Sequence, residues 1–270
     1  MKEQLFSLVA SKETLSEKWN ACREYLQAYI LRIMHDEGVF QAQAFMGGTA
    51  LRFLYDLPRF SEDLDFAQER KGGQPFVDIL QKIKKELTLA GYQVEVSYKT
   101  EKTVQSAFFK FEGLLYEAKI SPLSSQKFSV KVETDTNPPA GANLETRIIN
   151  KYFPMSFLTH DLFSLFAGKF SAVLGRKYTK GRDFYDIFWY LSKWKKMTPN
   201  LELLKNGLLQ TGWKEGLPNE ENWRDYLYKA VEKADWRIVI QDVSKFLEHP
   251  SDVKIFTQEN LLSLITSSAA

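Results

Sequence analysis

The sequence predicts an α+β protein in which an N-terminal half with both strands and helices is followed by a helical C-terminal half. Two segments of the N-terminal half have apolar residues at helical spacing, and a third alternates apolar and polar residues as strands do. Two segments of the C-terminal half again have helical spacing. In chain order these segments are 13–37, 75–90, 92–136, 160–177 and 182–196.

The strongest chain breaker, NPPAGAN at 137–143, lies between these two halves. It predicts a strand-and-helix domain over residues 1–140, which includes the N-terminal helix, and a helical domain over residues 141–270. The chain has no evident internal repeat, and the SSAA tail at its end is expected to fray.

Composition excludes several classes of protein. The 270 residues are 44% hydrophobic, which suits one large or two modest globular domains. The net charge of +2 allows a nucleic-acid partner without indicating one. A single cysteine, Cys22, excludes an internal disulfide and a cysteine-based zinc cluster. The chain lacks both an apolar run of ~18 residues and a signal-peptide pattern, so we expect a cytoplasmic protein without membrane spans.

Two aspartates, Asp63 and Asp65, stand two residues apart in the predicted strand SEDLDFA. Residues at that spacing project from the same face of a strand, so both carboxylates point to one place. Like charges repel there unless a cation lies between them, and Mg²⁺ binds carboxylate and phosphate oxygens together. The pair indicates a metal site for a triphosphate, with solvated surface carboxylates as the alternative.

Two glycines, Gly47 and Gly48, lie between a predicted short strand and the predicted helix TALRFLYDL. The N–H groups and the dipole at the start of a helix favour an anion. A tight turn explains the glycines equally well when they are considered alone. Together with Asp63 and Asp65 on the next strand, they predict a single binding site. In this site the glycine turn holds phosphates, and a metal bridges the phosphates to the carboxylates.

The string GGTALRFLYDLPRFSEDLDF resembles the AbiEii/AbiGii-type nucleotidyltransferase toxins, within the DNA polymerase β-like nucleotidyltransferase superfamily. The family pattern runs GGTAL and then R-x-S-x-D-L-D-F, without a gap here. The resemblance implies a polymerase β-like mixed sheet with flanking helices, followed by a helical domain. It also implies that a set of residues in this string contacts the nucleotide phosphates. These residues are Gly47, Gly48, Thr49, Arg59 and Ser61.

A third carboxylate is expected from the later strand FSVKVETDT, in which Lys131, Glu133 and Asp135 share one face. The resemblance, at this point to a lysine–hydrophobic–glutamate strand, implies Glu133 as the third metal ligand. Asp135 has the same parity and is the alternative ligand. A charged solvent face of an edge strand is the simpler explanation of this pattern.

A lysine and an arginine interrupt an apolar helical stripe in the segment LFSLFAGKFSAVLGRK. Lys169 and Arg176 fall on the face formed by Leu162, Leu165 and neighbouring apolar residues. A buried lysine is costly unless its ammonium reaches an anion. The pattern therefore indicates phosphate binding, with snorkelling of the lysine at the edge of the stripe as the alternative.

The next predicted helix places Arg182 and Asp186 opposite its apolar face, with Asp183 flanking them. These polar groups are then free to face a cleft, and a surface pair between Arg182 and Asp186 is the alternative. Lys169 and the string KGRDFYD also resemble the later motifs of the same family. The resemblance implies that Arg182 binds phosphate with Lys169 and Arg176, and that Asp183 or Asp186 completes the site or acts as a base.

By this resemblance, which covers about residues 40–195, the protein is an NTP-dependent nucleotidyltransferase whose catalytic set is Asp63, Asp65, Glu133, Lys169, Asp183 and Asp186. A hydroxyl attacks the α-phosphate and pyrophosphate leaves, with Mg²⁺ or Mn²⁺ on the first three carboxylates. The resemblance further implies a toxin of a toxin–antitoxin or phage-defence system, with a tRNA 3′ end as acceptor and a cognate antitoxin protein as partner.

Two other functions fit the same residues. The site could transfer a nucleotide or a γ-phosphate to a protein hydroxyl, or the fold could only bind nucleotide as a sensor.

A group of lysines could form a patch for a nucleic-acid backbone, with solvated charge as the alternative. These lysines are Lys177, Lys180, Lys193, Lys195 and Lys196. The tryptophans after residue 195 carry no recognisable motif, and core packing is their expected role.

Overall fold

A seven-stranded mixed sheet organises the first 160 residues of the computed structural model, which describes residues 1–267. Its strands are β1 (Gln43–Met46), β2 (Asp63–Gln68), β3 (Val94–Lys99), β4 (Val104–Phe111), β5 (Phe128–Asp135), β6 (Leu144–Asn150) and β7 (Pro154–His160). Their spatial order is β3-β4-β5-β2-β1-β7-β6, which places β2 in the middle of the sheet. β2 runs parallel to β5 and antiparallel to β1, while β1 runs parallel to β7.

Eleven α-helices are present among the described residues. They are α1 (Lys2–Ala10), α2 (Leu15–Asp36), α3 (Gly47–Tyr55), α4 (Phe76–Leu89), α5 (Leu114–Glu117), α6 (Leu162–Gly175), α7 (Gly181–Lys193), α8 (Leu201–Gln210), α9 (Trp223–Lys233), α10 (Trp236–Ser244) and α11 (Gln258–Ser267). No helix in residues 1–267 is long and apolar enough to cross a membrane. The α+β class with a mixed sheet and a helical C-terminal region is confirmed.

The long helix α2 packs against strand β5 on the apolar face of the sheet. A capping box starts the helix, in which Thr14 accepts a hydrogen bond from the Glu17 backbone and Glu17 accepts one from the Thr14 backbone. Trp19 of α2 packs edge-on against Phe128 of β5, with ring centroids 5.1 Å apart. Because β5 alternates buried and half-buried residues along its whole length, its other face is left to polar side chains.

The structure corrects the expected strands in two places. The segment after β4 forms the short helix α5, which begins after Gly113 at a φ of +66°. Two strands, β6 and β7, lie in the part expected to be helical. The side chains of β6 alternate only between exposed and half-buried, so its sequence lacks the apolar alternation that marks a strand packed on a core.

The described residues divide into two compact units. The first, here called the sheet unit, comprises Met1–Leu54, Phe60–Pro138 and Thr146–Thr159. The second, here called the helical unit, comprises Tyr55–Arg59, Pro139–Glu145 and the chain from His160 onward. The sequence-based division at residue 140 stays a prediction. Of the SSAA tail, residues 268–270 lie outside the described part of the chain.

Aromatic side chains fill the core of the helical unit. Phe166 of α6 stacks on Tyr190 of α7 with ring centroids 4.6 Å apart, and Trp223 of α9 meets Phe166 edge-on at 6.0 Å. Aromatic rings favour such offset and edge-to-face arrangements over a face-to-face sandwich. The core-packing role expected for Trp223 is confirmed, because this side chain is buried.

We expect Gly181→Ala to destabilise the helical unit by about 1–3 kcal/mol, the usual cost of forcing a side chain into a packed interior. A Cβ on Gly181, the first residue of α7, would fall on the backbone carbonyl of Val239 in α10. Gly168→Ala in α6 is the matched control, because its Cβ would meet nothing within 4 Å. Alanine there should stabilise the helix by up to about 1 kcal/mol. Urea denaturation compares the free energies of unfolding, and equal values for the two variants would contradict the close approach.

Candidate active site

Three carboxylates and one lysine share the polar face of the two central parallel strands. Asp63 of β2 pairs with Lys131 of β5, and Asp65 pairs with Glu133. Paired residues on neighbouring strands project to the same face, and so do residues two apart along a strand. All four are half-buried, whereas the residues between them are buried in the core. We call these four residues the carboxylate face.

Lys131 balances part of the negative charge on the carboxylate face. Its Nζ lies 2.8 Å from Oε1 of Glu133. Burial by itself lowers the pKa of Lys131, but the hydrogen bond and charge of Glu133, together with Asp63 and Asp65, raise it above its usual value. The three carboxylates therefore create a local potential that attracts a cation.

Asp135, the alternative third carboxylate, lies at the end of the same strand. It pairs with Ala67 rather than with an aspartate of β2. Its Oδ1 accepts a hydrogen bond of 3.0 Å from the backbone N–H of Asn137. The structure thus puts Glu133 directly beside Asp65 and leaves Asp135 two residues further along, at the turn that follows the strand.

The glycine turn contacts the carboxylate face. Gly47, the first residue of α3, has a φ of +78°, a backbone conformation that strongly favours glycine. A Cβ at this position would also collide with the carboxylate of Asp65. Both the backbone conformation and the space beside Asp65 therefore require glycine. The structure brings together the glycine turn and the second aspartate, which the sequence predicts to form one phosphate and metal site.

Two buried side chains fix the strand that carries the aspartates. Thr49 donates a short hydrogen bond from its hydroxyl to the backbone carbonyl of Asp63, tying α3 to the start of β2. Gln27 of α2 donates from Nε2 to the carbonyls of Ser61 at 3.1 Å and Glu62 at 3.0 Å. Ser61 is half-buried just before β2. The sequence pattern did not predict this role of Gln27, because a glutamine within an amphipathic helix gives no signal of it.

A second group of charged residues lies in the helical unit. Arg59 donates from Nε and Nη2 to the two carboxylate oxygens of Asp186, each at 2.6 Å. The Nζ of Lys169 lies 2.8 Å from Asp186 Oδ2 and 3.0 Å from Asp183 Oδ1. Nη1 of Arg176 lies 2.9 Å from Asp183 Oδ2, although that oxygen accepts no hydrogen bond from the described residues. We call these five residues the ion cluster.

The ion cluster is almost completely withdrawn from solvent. The side chains of Asp186 and Arg59 are 0% and 2% exposed, and that of Lys169 is 12% exposed. Burial lowers the pKa of Lys169, but the charges of Asp186 and Asp183 raise it overall. Burial likewise raises the pKa of Asp183, but Lys169 and Arg176 lower it overall. These groups therefore remain charged, since each finds a charged partner inside the protein.

The ion cluster shows where the structure places five residues that the sequence singled out. Asp183 and Asp186 are buried rather than turned to an open face of α7. The anions that Lys169 reaches are these two carboxylates, so the lysine does not snorkel to solvent. Arg59 is directed at Asp186 and belongs to the helical unit. Arg176, with a side chain 33% exposed, is the most accessible cation of the cluster.

Arg182 lies beside the ion cluster on α7 but has different neighbours. Its guanidinium lies 4.1 Å from the ring centroid of Phe246, a cation–π contact. Its backbone N–H donates to Oδ2 of Asp242 at 3.1 Å, and its Nε lies 3.6 Å from the same oxygen. These contacts hold the first turn of α7.

The motifs and the fold agree with one protein family. The family model of the AbiEii nucleotidyl transferase toxin, from type IV toxin–antitoxin systems, matches residues 29–257. The chain belongs to this family. The resemblance seen in the sequence motifs is confirmed, and the protein is a nucleotidyltransferase toxin of a toxin–antitoxin system. The matched AbiEii residues include both the carboxylate face and the ion cluster.

Solved structures of two nucleotidyltransferases share the fold of this AbiEii family member. A candidate nucleotidyltransferase from H. pylori is 18% identical, with a TM-score of 0.56, over 92% of this chain and 91% of that chain. The nucleotidyltransferase toxin MenT4 from Mycobacterium tuberculosis is 14% identical, with a TM-score of 0.54, over 100% of this chain and 89% of that chain. A search of curated proteins finds no matching sequence.

We expect Asp186→Asn to lower the free energy of unfolding by about 3–5 kcal/mol, because it leaves two buried cations, Arg59 and Lys169, without a full counter-charge. Asp225→Asn on α9 is the matched control, since Asp225 is exposed and should change stability by less than about 0.5 kcal/mol. Chemical denaturation followed by far-UV circular dichroism measures both. A loss of activity in Asp186→Asn without loss of stability would argue against a structural role of this carboxylate.

Proposed function

We propose that this toxin transfers a nucleoside monophosphate from an NTP to an acceptor hydroxyl, most specifically that of a tRNA 3′ end, and thereby blocks growth. The observation that carries the proposal is the register of β2 and β5, which sets Asp65 beside Glu133 and next to the turn at Gly47. Such a face supplies carboxylates for a metal where the start of α3 supplies N–H groups for phosphate.

The carboxylate face fits a divalent cation such as Mg²⁺ or Mn²⁺. Within residues 1–267, no three Asp, Glu, His or Cys side chains converge into a complete metal site. Magnesium is usually held by one or two carboxylates together with substrate phosphates and water rather than by a closed protein cage. Asp63, Asp65 and Glu133 would hold the metal, which neutralises charge on the triphosphate and lowers the pKa of the attacking hydroxyl.

The protein's own residues bind and orient the nucleotide in this proposal. Gly48 and Thr49 lie in the first turn of α3, where backbone N–H groups have no partner within the helix and would bind a phosphate. Ser61 stands just before the aspartates and is placed to contact a phosphate. Arg176, the most accessible cation of the ion cluster, keeps the phosphate-binding role expected for it, while Lys169 holds Asp183 and Asp186 in position.

Membership of a toxin–antitoxin family supports a cognate antitoxin as the partner, and a tRNA acceptor is our proposal. Transfer of a nucleotide to the 3′ end of tRNA would prevent aminoacylation and stop translation, which suits a toxin paired with a cognate antitoxin. That setting is the cytoplasm, where tRNA, NTP and antitoxin are all present. Lysines around α6 and α7, among them Lys177 and Lys180, support an acceptor with a phosphate backbone.

The proposal is tested by incubating the protein with each α-labelled NTP and Mg²⁺, with total RNA in one reaction and with RNA-depleted cell lysate in another. Label in the tRNA fraction that is released by 3′ exonuclease supports transfer to the tRNA end. Label in protein alone would replace RNA by a protein acceptor, and a parallel reaction with γ-labelled ATP identifies phosphoryl transfer. Tight NTP binding without transfer in any reaction would instead indicate a nucleotide sensor.

We expect Asp65→Asn to lower the transfer rate by about 10³-fold or more, because a metal ligand contributes several kcal/mol of transition-state stabilisation. Its melting temperature should fall less than that of Asp186→Asn, because Asp65 is half-buried whereas Asp186 is fully buried in an ion cluster. Asp78→Asn on the exposed side of α4 is the matched control and should retain full activity. Single-turnover rates and thermal unfolding are measured on the same preparations, and an active Asp65→Asn enzyme would reject the metal assignment.

Glu133→Gln and Asp135→Asn together identify the third carboxylate. We expect Glu133→Gln to reduce single-turnover transfer at least about 100-fold, because its carboxylate pairs in register with Asp65. Asp135→Asn should stay within about threefold of the wild-type rate, since Asp135 caps the backbone of Asn137 instead. The reverse order of the two rates would assign the metal to Asp135.

A further inference from the structure

A cavity of about 290 Å³ lies in the helical unit, apart from the residues that make up the carboxylate face. It is formed by the end of α6, the start of α7, and α9. Its volume is close to the lower limit of protein sites for small organic ligands. We call it the α9 pocket, because α9 lies outside every motif recognised in the sequence.

The α9 pocket has an excess of positive charge. Arg176 and Lys180 line it from the α6–α7 side, and Lys229 and Lys233 line it from α9. The two α9 lysines are four residues apart and therefore lie on the same side of the helix. Among the described residues, neither lysine forms an ion pair, and both are exposed. An anion in this pocket would meet cations on two opposing walls.

Two carboxylates, Asp183 and Glu215, line the pocket, and its five cations, which include Lys177, outnumber them. Asp183 lines the pocket, but its carboxylate is already occupied by Lys169 and Arg176. Burial lowers the pKa of Lys180, and the neighbouring Arg182, Arg176 and Lys169 lower it further despite the attraction of Asp183. A bound anion would relieve this repulsion, so the pocket is electrostatically suited to phosphate.

Aromatic side chains stand between these cations. Trp213 and Tyr226 line the same pocket, and Trp213 donates from Nε1 to the carbonyl of Gly216 at 3.2 Å. A Cβ on Gly216 would lie 2.7 Å from the hydroxyl of Tyr226, so the loop that carries Trp213 packs closely on α9. Cations interleaved with aromatic rings are typical of sites for single-stranded nucleic acid, where bases stack and the backbone follows the charge.

We propose that the α9 pocket binds the phosphodiester backbone of the single-stranded end of the RNA acceptor. This inference rests on the proposed transfer to RNA and names the surface that receives the acceptor. Lys229 and Lys233 present two separated point charges one helical turn apart, an arrangement that suits the spaced, singly charged phosphates of a chain. The phosphates of a free triphosphate are linked directly through bridging oxygens and lie much closer together.

The test uses a fluorescein-labelled single-stranded RNA oligonucleotide, with neither NTP nor divalent metal present. The double variant Lys229→Gln/Lys233→Gln should bind it about tenfold more weakly than wild type at 0.1 M salt. The slope of log affinity against log salt should become shallower by about 1.4, at ~0.7 for each phosphate that the variant no longer neutralises. Fluorescence anisotropy across a salt series gives both values.

The control variant Lys245→Gln/Lys254→Gln removes the same charge from exposed positions of the helical unit that neither line the pocket nor belong to the lysine patch predicted from the sequence. It should bind the oligonucleotide like wild type. Binding of inorganic tripolyphosphate, followed by calorimetry, should be equal in all three proteins. Equal RNA affinity of the two double variants would overturn the proposal. The proposal would also be overturned if Lys229→Gln/Lys233→Gln weakened tripolyphosphate binding as much as RNA binding, or more. The pocket would then be a nucleotide site.

Failure of this inference is distinguishable from failure of the proposed function. Oligonucleotide binding is measured without catalysis, whereas the transfer reaction reports label at the tRNA end. Suppose that the wild-type enzyme transfers label to tRNA but its RNA affinity does not depend on Lys229 and Lys233. That result would support the proposed function and reject the α9 pocket as the RNA-binding site.

Discussion

The parallel pairing of β2 with β5 is the constraint on which the active-site geometry depends. Side chains alternate between the two faces of a strand, so a shift of one residue would exchange core and solvent faces completely. Leu64 and Val132 are buried in the core and fix this register. Asp65 and Glu133 are consequently held side by side. Hydrophobic packing on one face of the sheet thus positions the chemistry on the other.

Each unit holds several charged side chains close together, and the two units stabilise them differently. On the carboxylate face, like charges are brought together at half-buried positions, and Lys131 pairs with Glu133 beside them. We propose this face as the metal site. In the ion cluster, the charges are nearly balanced and buried, so Asp183 and Asp186 are bound by protein cations. A half-buried group of carboxylates suits binding, whereas a buried cluster of ion pairs suits rigid positioning of the groups around it.

Sequence reasoning succeeded where a local rule was sufficient. Strand parity placed Asp63 and Asp65 on one face of their strand, and helical periodicity showed that Lys169 lies on an apolar stripe and needs an anion. It failed where the answer required residues distant along the chain. The anions of Lys169 lie 14 and 17 residues away, while Arg59 meets Asp186 across 127 residues. Periodicity within a segment carries no information about such pairs.

The sequence by itself determined the family, the α+β class, the glycine turn and the aspartate pair, because these depend on short motifs and on the period of one element. Only the tertiary structure decided that Glu133 rather than Asp135 stands beside Asp65, since strand register is a property of two segments. It also decided that α9 turns two lysines toward a pocket. Lysines four residues apart are common on exposed helices. Only the packing of α9 beside α6 and α7 forms a pocket that these two lysines line.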